Sequence, residues 1–325
     1  MYLGAGCHRN MPVSGQNVGV QIMSVTGPVP PRDLGVVLPH EHVFADLVRE
    51  YRGTGLLNDE YLARRELEAF AAAGGTTLVD LTVDEIGRNP PALRRAAEAT
   101  GVTIVMGCGH YRDPYLDRAW FDRHAVEAIA DEMVRDVDEG VRDTGIRAGI
   151  IGEIGADRWY VSAAEERSFR AAARAHLRTG LTISTHAARW PVGLEQLHLL
   201  TGEGADPRRV IIGHADSVPL PDYHLALAKQ GCYVSFDAIG NGTPYDLRRT
   251  VDYVIALVRA GFGAQILLSH DTFMRGQLRA DGGPGYTYLL TDFLPLLIAA
   301  GLEEAEVRRF VTANPRAALT GEPLT

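Results

Sequence analysis

Lysine is nearly absent from this chain: of its 32 basic residues, all but Lys229 are arginines. Any chemistry that requires a lysine amine therefore rests on one residue. Cysteine is scarce too. Cys7, Cys108 and Cys232 stand far apart and are odd in number, which implies neither a disulfide framework nor a CxxC metal site. No apolar run approaches the roughly 18 residues of a membrane span, so no membrane partner is expected. The opening MYLGAGCHRNMPVSGQ lacks the apolar stretch of a secretory signal, and the expectation is a cytoplasmic enzyme. Basic charge is not in excess. Against 41 acidic residues the 32 basic ones leave a net charge of −9, which disfavours nucleic acid as a partner. A GxGxxG fingerprint between strand and helix is missing as well; Gly107-Cys108-Gly109 supplies only its first two glycines.

What is present is enough apolar material for a full core: 46% of 325 residues are hydrophobic. Short β-branched runs at 35–42, 76–82, 102–108, 148–153, 181–186, 209–214, 232–237 and 265–271 read as strands. Each interval between them can hold a crossover helix, since a parallel βαβ unit takes about 30 residues. The helices have recognisable ends. Ser162 with Glu165 forms a capping box ahead of Phe169, Ala172, Ala173 and His176, and Gly180 stops that helix. Residues 61–73 carry Ala63, Leu67, Phe70 and Ala71 on one face, a third helix segment at 255–260 ends at Gly261, and TYLLTDFLPLLIAAG reads as helix core. Eight strands with eight following helices are the count that closes an α/β (β/α)₈ TIM barrel of about 250 residues. The expected organisation is a single domain, with residues 1–34 as a short hairpin cap and 35–301 as the barrel. Residues 302–325 form a C-terminal helix broken at Asn314-Pro315. An open doubly wound sheet is the alternative, weakened by the absent fingerprint.

In a barrel, side chains at the C-terminal ends of strands point to the face where catalysis occurs. Strand one ends in His40-Glu41-His42, strand four in Glu153, strand five in His186, strand six in His214 and strand eight in Asp271. Residues i and i+2 of a strand share a face, so His40 and His42 can reach one ion. Singly, each group also suits a bland role, as a core histidine or a helix-capping carboxylate. Together, four imidazoles and two carboxylates are too many for one tetrahedral ion and suit two ions with a bridging ligand, for which Glu153 is placed mid-barrel. Zinc is the default metal, with Mn, Co or Fe equally able to use these donors. Arg189 and Arg275, just beyond strands five and eight, are candidates to bind an anionic part of a small-molecule substrate.

At these residues the chain resembles the phosphotriesterase family within the amidohydrolase superfamily. The resemblance runs from TGPVPPRDLGVVLPHEH through VDLT, GRNP, GEIG, STHAAR, IIGHADS, VSFDAIG, ILLSHDTFMR and GGPGYTYLL to TANPRAAL. It implies a binuclear centre with one metal on His40, His42 and Asp271, the other on His186 and His214, and Glu153 bridging. Many members bridge with a carboxylated lysine; here that position is Glu153, which resembles the glutamate-bridged subgroup of phosphotriesterase homology and related proteins. The efficient phosphotriesterases pass a proton through an imidazole and a carboxylate at positions that are Ala238 and Ser217 here. Tyr111 matches a tyrosine beside the bridging hydroxide of the family's lactonases. The implied chemistry is hydrolysis by a metal-bridging hydroxide, with Asp271 taking its proton. A lactone or other carboxylic ester is the first substrate expected. An N-acyl amide is second, and a phosphotriester, slowly, third. A non-catalytic small-molecule-binding barrel is the competing class, and a homodimer the expected assembly if there is one.

Overall fold

The computed structural model describes residues 20–323. Eight parallel strands follow one another around a barrel: β1 (Val37–Glu41), β2 (Thr77–Asp80), β3 (Thr103–Cys108) and β4 (Ile150–Gly155), then β5 (Ile183–His186), β6 (Val210–Ile212), β7 (Tyr233–Phe236) and β8 (Ile266–Leu268). Each is bonded to its neighbour in sequence. The ends of the series meet through the Asp271 N–H, which donates to the His40 carbonyl at 3.3 Å, and the His42 N–H, which donates to the Thr272 carbonyl at 3.2 Å. The crossovers carry α1 (Glu60–Ala72), α2 (Pro90–Thr100), α3 (Val126–Asp138) and α4 (Ala163–Thr179), followed by α5 (Gly193–Gly202), α6 (Pro221–Lys229), α7 (Pro244–Arg259) and α8 (Leu294–Ala299). This is the expected (β/α)₈ barrel.

Local chemistry sets the helix boundaries. Asp59 caps α1 by accepting from the backbone of Tyr61 and Leu62, and the Ser162–Glu165 box opens α4, which Gly180 closes in the left-handed conformation. Helix α7 starts eleven residues before the 255–260 segment, because Thr243 and Asp246 form a second capping box around Pro244. Of the TYLLTDFLPLLIAAG segment, Leu289, Phe293 and Leu297 are buried while Leu296 and Ile298 are exposed.

Two apolar layers hold the barrel. The outer one packs helices on strands, as with Phe169, Leu200 and Leu257 against Ile151, Ile183 and Ile212. The inner one fills the barrel with Val79, Val105, Ile150, Ile211, Tyr233 and Leu267, and is closed by Ile22, Leu34, Ala318 and Leu319. Ile22 belongs to an antiparallel hairpin, Ile22–Ser24 with Gly27–Val29, which covers the N-terminal ends of the strands where the Val25 N–H donates to the Ile104 carbonyl. The part of the expected cap before residue 20 lies outside the described residues. The C-terminal segment is two helices, Glu304–Arg309 and Ala313–Thr320. Asn314-Pro315 is not the break: Pro315 sits in the first helical turn, where a missing N–H costs nothing. Asn314 Nδ2 donates to the carbonyls of Gly263 and Ile266, fastening that helix under β8.

Between β1 and α1 the chain makes an excursion. Ala45–Asp46 pairs with Leu56–Leu57, and a short turn of helix, Val48–Tyr51, lies between them over the C-terminal face of the barrel.

Candidate metal centre

The strand ends differ from the sequence reading in one respect that matters for chemistry. His42, His214 and Asp271 lie one, two and three residues past the last paired residue of β1, β6 and β8. His214 and Asp271 hold left-handed backbone, φ +57° and +53°, a conformation that side chains other than Asn, Asp and His seldom adopt. Leaving the ladder in this way turns both side chains inward over the barrel axis. Gly152 is required for the same purpose: its φ is +141°, and a Cβ there would collide with the Ser184 carbonyl. Strand β4 thereby runs close to β5 and delivers Glu153 to the centre.

The six residues converge. Glu153 Oε1 is 2.7 Å from both His186 Nδ1 and His214 Nε2, and those two nitrogens are 2.8 Å apart. His40 Nε2 lies 3.5 Å from Glu153 Oε1, and His42 Nε2 lies 3.9 Å from Glu153 Oε2. Asp271 Oδ1 stands 3.2 Å from His42 Nε2 and 3.6 Å from His40 Nε2. Among the described residues, the donor atoms of His40, His42 and Glu153 form one cluster able to hold a cation, and those of Glu153, His186 and His214 form another. Glu153 is common to both.

The donor chemistry fits cations there. His40 Nε2 is buried without a hydrogen-bond partner, because the other nitrogen, Nδ1, donates to Asp237 Oδ2 at 2.9 Å. His214 Nδ1 donates to Asp237 Oδ1 at 2.8 Å, and His42 Nδ1 is bonded to Thr82 Oγ1 at 2.9 Å. Each outer partner leaves the inward nitrogen with a lone pair, as in metal sites whose ligating imidazoles are oriented by carboxylates. The charge balance agrees. Burial opposes the protonated form of His40, yet Asp237, Glu153 and Asp271 overcome it and push the imidazole up to about 9. The same contest raises His214 far above the usual range and holds Glu153 well below that of carboxylates. Two buried carboxylates, with Asp271 beside them at the pocket floor, demand positive charge, and divalent cations supply it without protons.

Asp237 was not singled out in the sequence, although it closes strand seven as the other acids close theirs. Completely buried and joined to the imidazoles of His40 and His214, it is the principal candidate residue that sequence reasoning passed over. Next to it, burial and the Asp237 charge push Asp216 up to about 7.

A pocket of about 170 Å³ opens onto these groups, walled by Leu47, Tyr51, Ile86, Tyr111, Ala188 and Phe273. Tyr111 places its hydroxyl 3.3 Å from His186 Nδ1. Burial, reinforced by Glu153, holds this phenol well above its usual range, so it is a neutral donor. Arg112, unmarked in the sequence, is a buried keystone of the rim. Its guanidinium bonds Glu50 from the β1 excursion and Asp157 from the loop after β4, and it lies over the rings of Tyr111 and Tyr115. Arg189 lines the same pocket with its side chain 66% exposed, only 3.5 Å from Glu50 and 3.4 Å from the Tyr51 hydroxyl, which leaves donors free at the mouth. Arg275 is elsewhere. The turn at Arg275–Gln277 carries it beside Val43, Leu57 and Tyr286, where its Nε is held by Asp281 Oδ2 at 3.1 Å. The expectation of a substrate contact through Arg275 is corrected accordingly: its side chain lines a separate crevice and not the metal pocket.

Residues 20–319 match the model of the phosphotriesterase family. The phosphotriesterase homology protein of Escherichia coli K12 is 35% identical over 86% of this chain and 96% of its own length. An N-acetyltaurine hydrolase of Dictyostelium discoideum is 34% identical over 81% of this chain and 74% of its own. Among solved structures, a lactonase from Listeria monocytogenes superposes with a TM-score of 0.85 at 26% identity, covering 93% of this chain and all of that one.

Proposed function

The chain belongs to the phosphotriesterase family, and we propose that it is a binuclear metal-dependent hydrolase of a small carboxylic ester, a lactone in first place. Glu153 carries this reading: one carboxylate lies between two sets of inward imidazole nitrogens. His40, His42 and Asp271 would hold one divalent cation, His186 and His214 the other, with Glu153 shared between them. When bound, such a pair supplies Lewis-acid activation of the carbonyl and of the attacking water.

The chain's own groups do the rest. Asp237 and Thr82 fix which nitrogen of His40, His214 and His42 faces inward. Asp271 is 15% exposed at the pocket floor, placed to take the proton that water loses and to return it to the leaving group. Tyr111 donates a hydrogen bond toward the reacting oxygen from beside His186. Arg189 offers its free donors to an anionic part of the substrate. With Ala238 and Ser217 in the pocket wall, the two relay positions of the efficient phosphotriesterases hold neither an imidazole nor a carboxylate, so phosphotriesters are slow side substrates on this reading.

A second reading, hydrolysis of an N-acyl amide, is favoured by the N-acetyltaurine hydrolases among the relatives. Purified protein loaded with zinc, then with manganese or cobalt, is assayed on a lactone, an ester, an N-acyl amide and a phosphotriester. Turnover of the lactone or ester above the amide supports the lead, and the reverse order selects the second reading. Metal content near two per chain separates either from a non-catalytic binding barrel.

A further inference from the structure

His40 and His42 flank a third polar residue, Glu41, at the last position of β1. Successive residues of a strand face opposite sides, so Glu41 turns its side chain away from the face that its two neighbours share. It is fully buried, where a carboxylate without partners would be costly. The four hydrogen bonds that this carboxylate accepts all come from the segment that carries Asp271. Oε1 accepts from the Ser269 hydroxyl at 2.9 Å, and from the His270 N–H and Nδ1–H, each at 2.8 Å. Oε2 accepts from the Thr272 N–H at 2.9 Å. The N–H groups immediately before and after Asp271 thus end on one side chain.

These bonds fall where the backbone most needs them. Asp271 holds a φ of +53°, and such a conformation persists only where its surroundings enforce it. Neighbouring contacts fix the same turn from outside. Ser269 Oγ accepts from the His40 N–H at 3.1 Å. The Leu289 N–H donates to His270 Nε2 at 2.9 Å, which leaves the ring proton on Nδ1 and aims it at Glu41. The Tyr286 hydroxyl donates to the His42 carbonyl at 2.8 Å. A continuous set of hydrogen bonds therefore runs from β1 through Glu41 and His270 to the turn of helix ahead of α8.

We propose that Glu41 is a positioning residue: it holds the left-handed turn at Asp271 and so keeps that carboxylate directed at the cation shared with His40 and His42. This rests on the binuclear hydrolase reading above. His186 and His214 are held instead through Gln196 and Asp237, so the two cations should respond differently to the loss of Glu41.

The test is calorimetric titration of the metal-free protein with zinc, of which the wild type is expected to bind two ions. In Glu41→Gln the side-chain amide must face an N–H of the turn in either orientation. One of the two affinities should fall about 10–100-fold, the loss typical when an outer partner of a metal ligand is removed, while the other stays unchanged. Asp271→Ala removes the ligand itself. In that background Glu41→Gln should cost nothing further, since the carboxylate it positions is gone. The visible bands of the cobalt-loaded protein follow ligand geometry and should shift in Glu41→Gln. If Glu41→Gln does not fold, Glu41→Asp, which keeps the charge and shortens the reach, carries the same test. Equal losses at both zinc sites, no loss at either, unshifted cobalt bands, or a full additional loss in the Asp271→Ala background overturns the inference and leaves the metal centre standing. A wild type that does not bind two zinc ions overturns the hydrolase reading, and this inference with it.

Discussion

At the N-terminal end of the strands, Val79, Val105, Ile150, Ile211 and Leu267 fill the barrel and Ile22 and Leu319 close it. At the opposite end, four imidazoles and three carboxylates occupy the same cross-section. The apolar end asks each residue only for volume, so its parts are interchangeable within the limits of packing. The polar end asks each atom for a partner, and there the chain departs from regular backbone. Of five non-glycine residues with positive φ among those described, His214, Asp271 and Arg189 line the metal pocket. Strain concentrated at a site is what functional geometry costs the fold, and the apolar end supplies the stability that offsets it.

Substitutions at the two ends should therefore separate activity from stability. Glu153→Ala is expected to give the largest effect, a loss of kcat/KM of at least about a thousandfold, with metal content falling below one per chain. Steady-state kinetics and metal analysis check both. Leu267→Ala, wholly buried in the apolar layer, should cost about 2–5 kcal/mol by denaturant unfolding, with unchanged activity per folded molecule. If Leu267→Ala abolished turnover without loss of stability, the contrast between the ends would be wrong.

Asp237→Asn sharpens the comparison, because it changes charge and not shape. An expected drop of about 10–100-fold in metal affinity, with the fold intact by circular dichroism, is the signature of an imidazole-orienting carboxylate.

Acidity should act directly on the polar end. Without metal, the His40 imidazole is raised to about 9, so its contribution to stability is complete below the ordinary value near 6.5. That contribution is lost as pH climbs through about 9. A cation must displace this proton, so apparent metal affinity should rise with pH up to that value, by about tenfold per unit for each proton released. Metal titrations at successive pH values measure the slope; a flat profile would contradict the charge balance described. The smallest effect is expected from Ser162→Ala, outside the lining of the metal pocket, which removes the α4 cap bond and should cost about 1 kcal/mol with little change in kinetics.

Much of the barrel was legible in the residues because its signals are local. Alternating β-branched runs and capped helices need only a few consecutive positions to be recognised, and Ser162, Glu165 and Gly180 do in the structure what their types suggest. The strand-end rule located His40, His42, Glu153, His186, His214 and Asp271, since parallel strands all deliver their last residues to one face. It applies equally to Asp237, the acid at the end of strand seven.

The sequence by itself determined which donors are available, that no lysine can bridge them, and that a parallel barrel can gather them. Only the tertiary structure decided which nitrogen of each imidazole faces inward, and that Arg189 lines the pocket while Arg275 turns away. Those outcomes depend on left-handed turns and on contacts between residues as far apart as His40 and Asp237, and neither leaves a periodic trace in the chain.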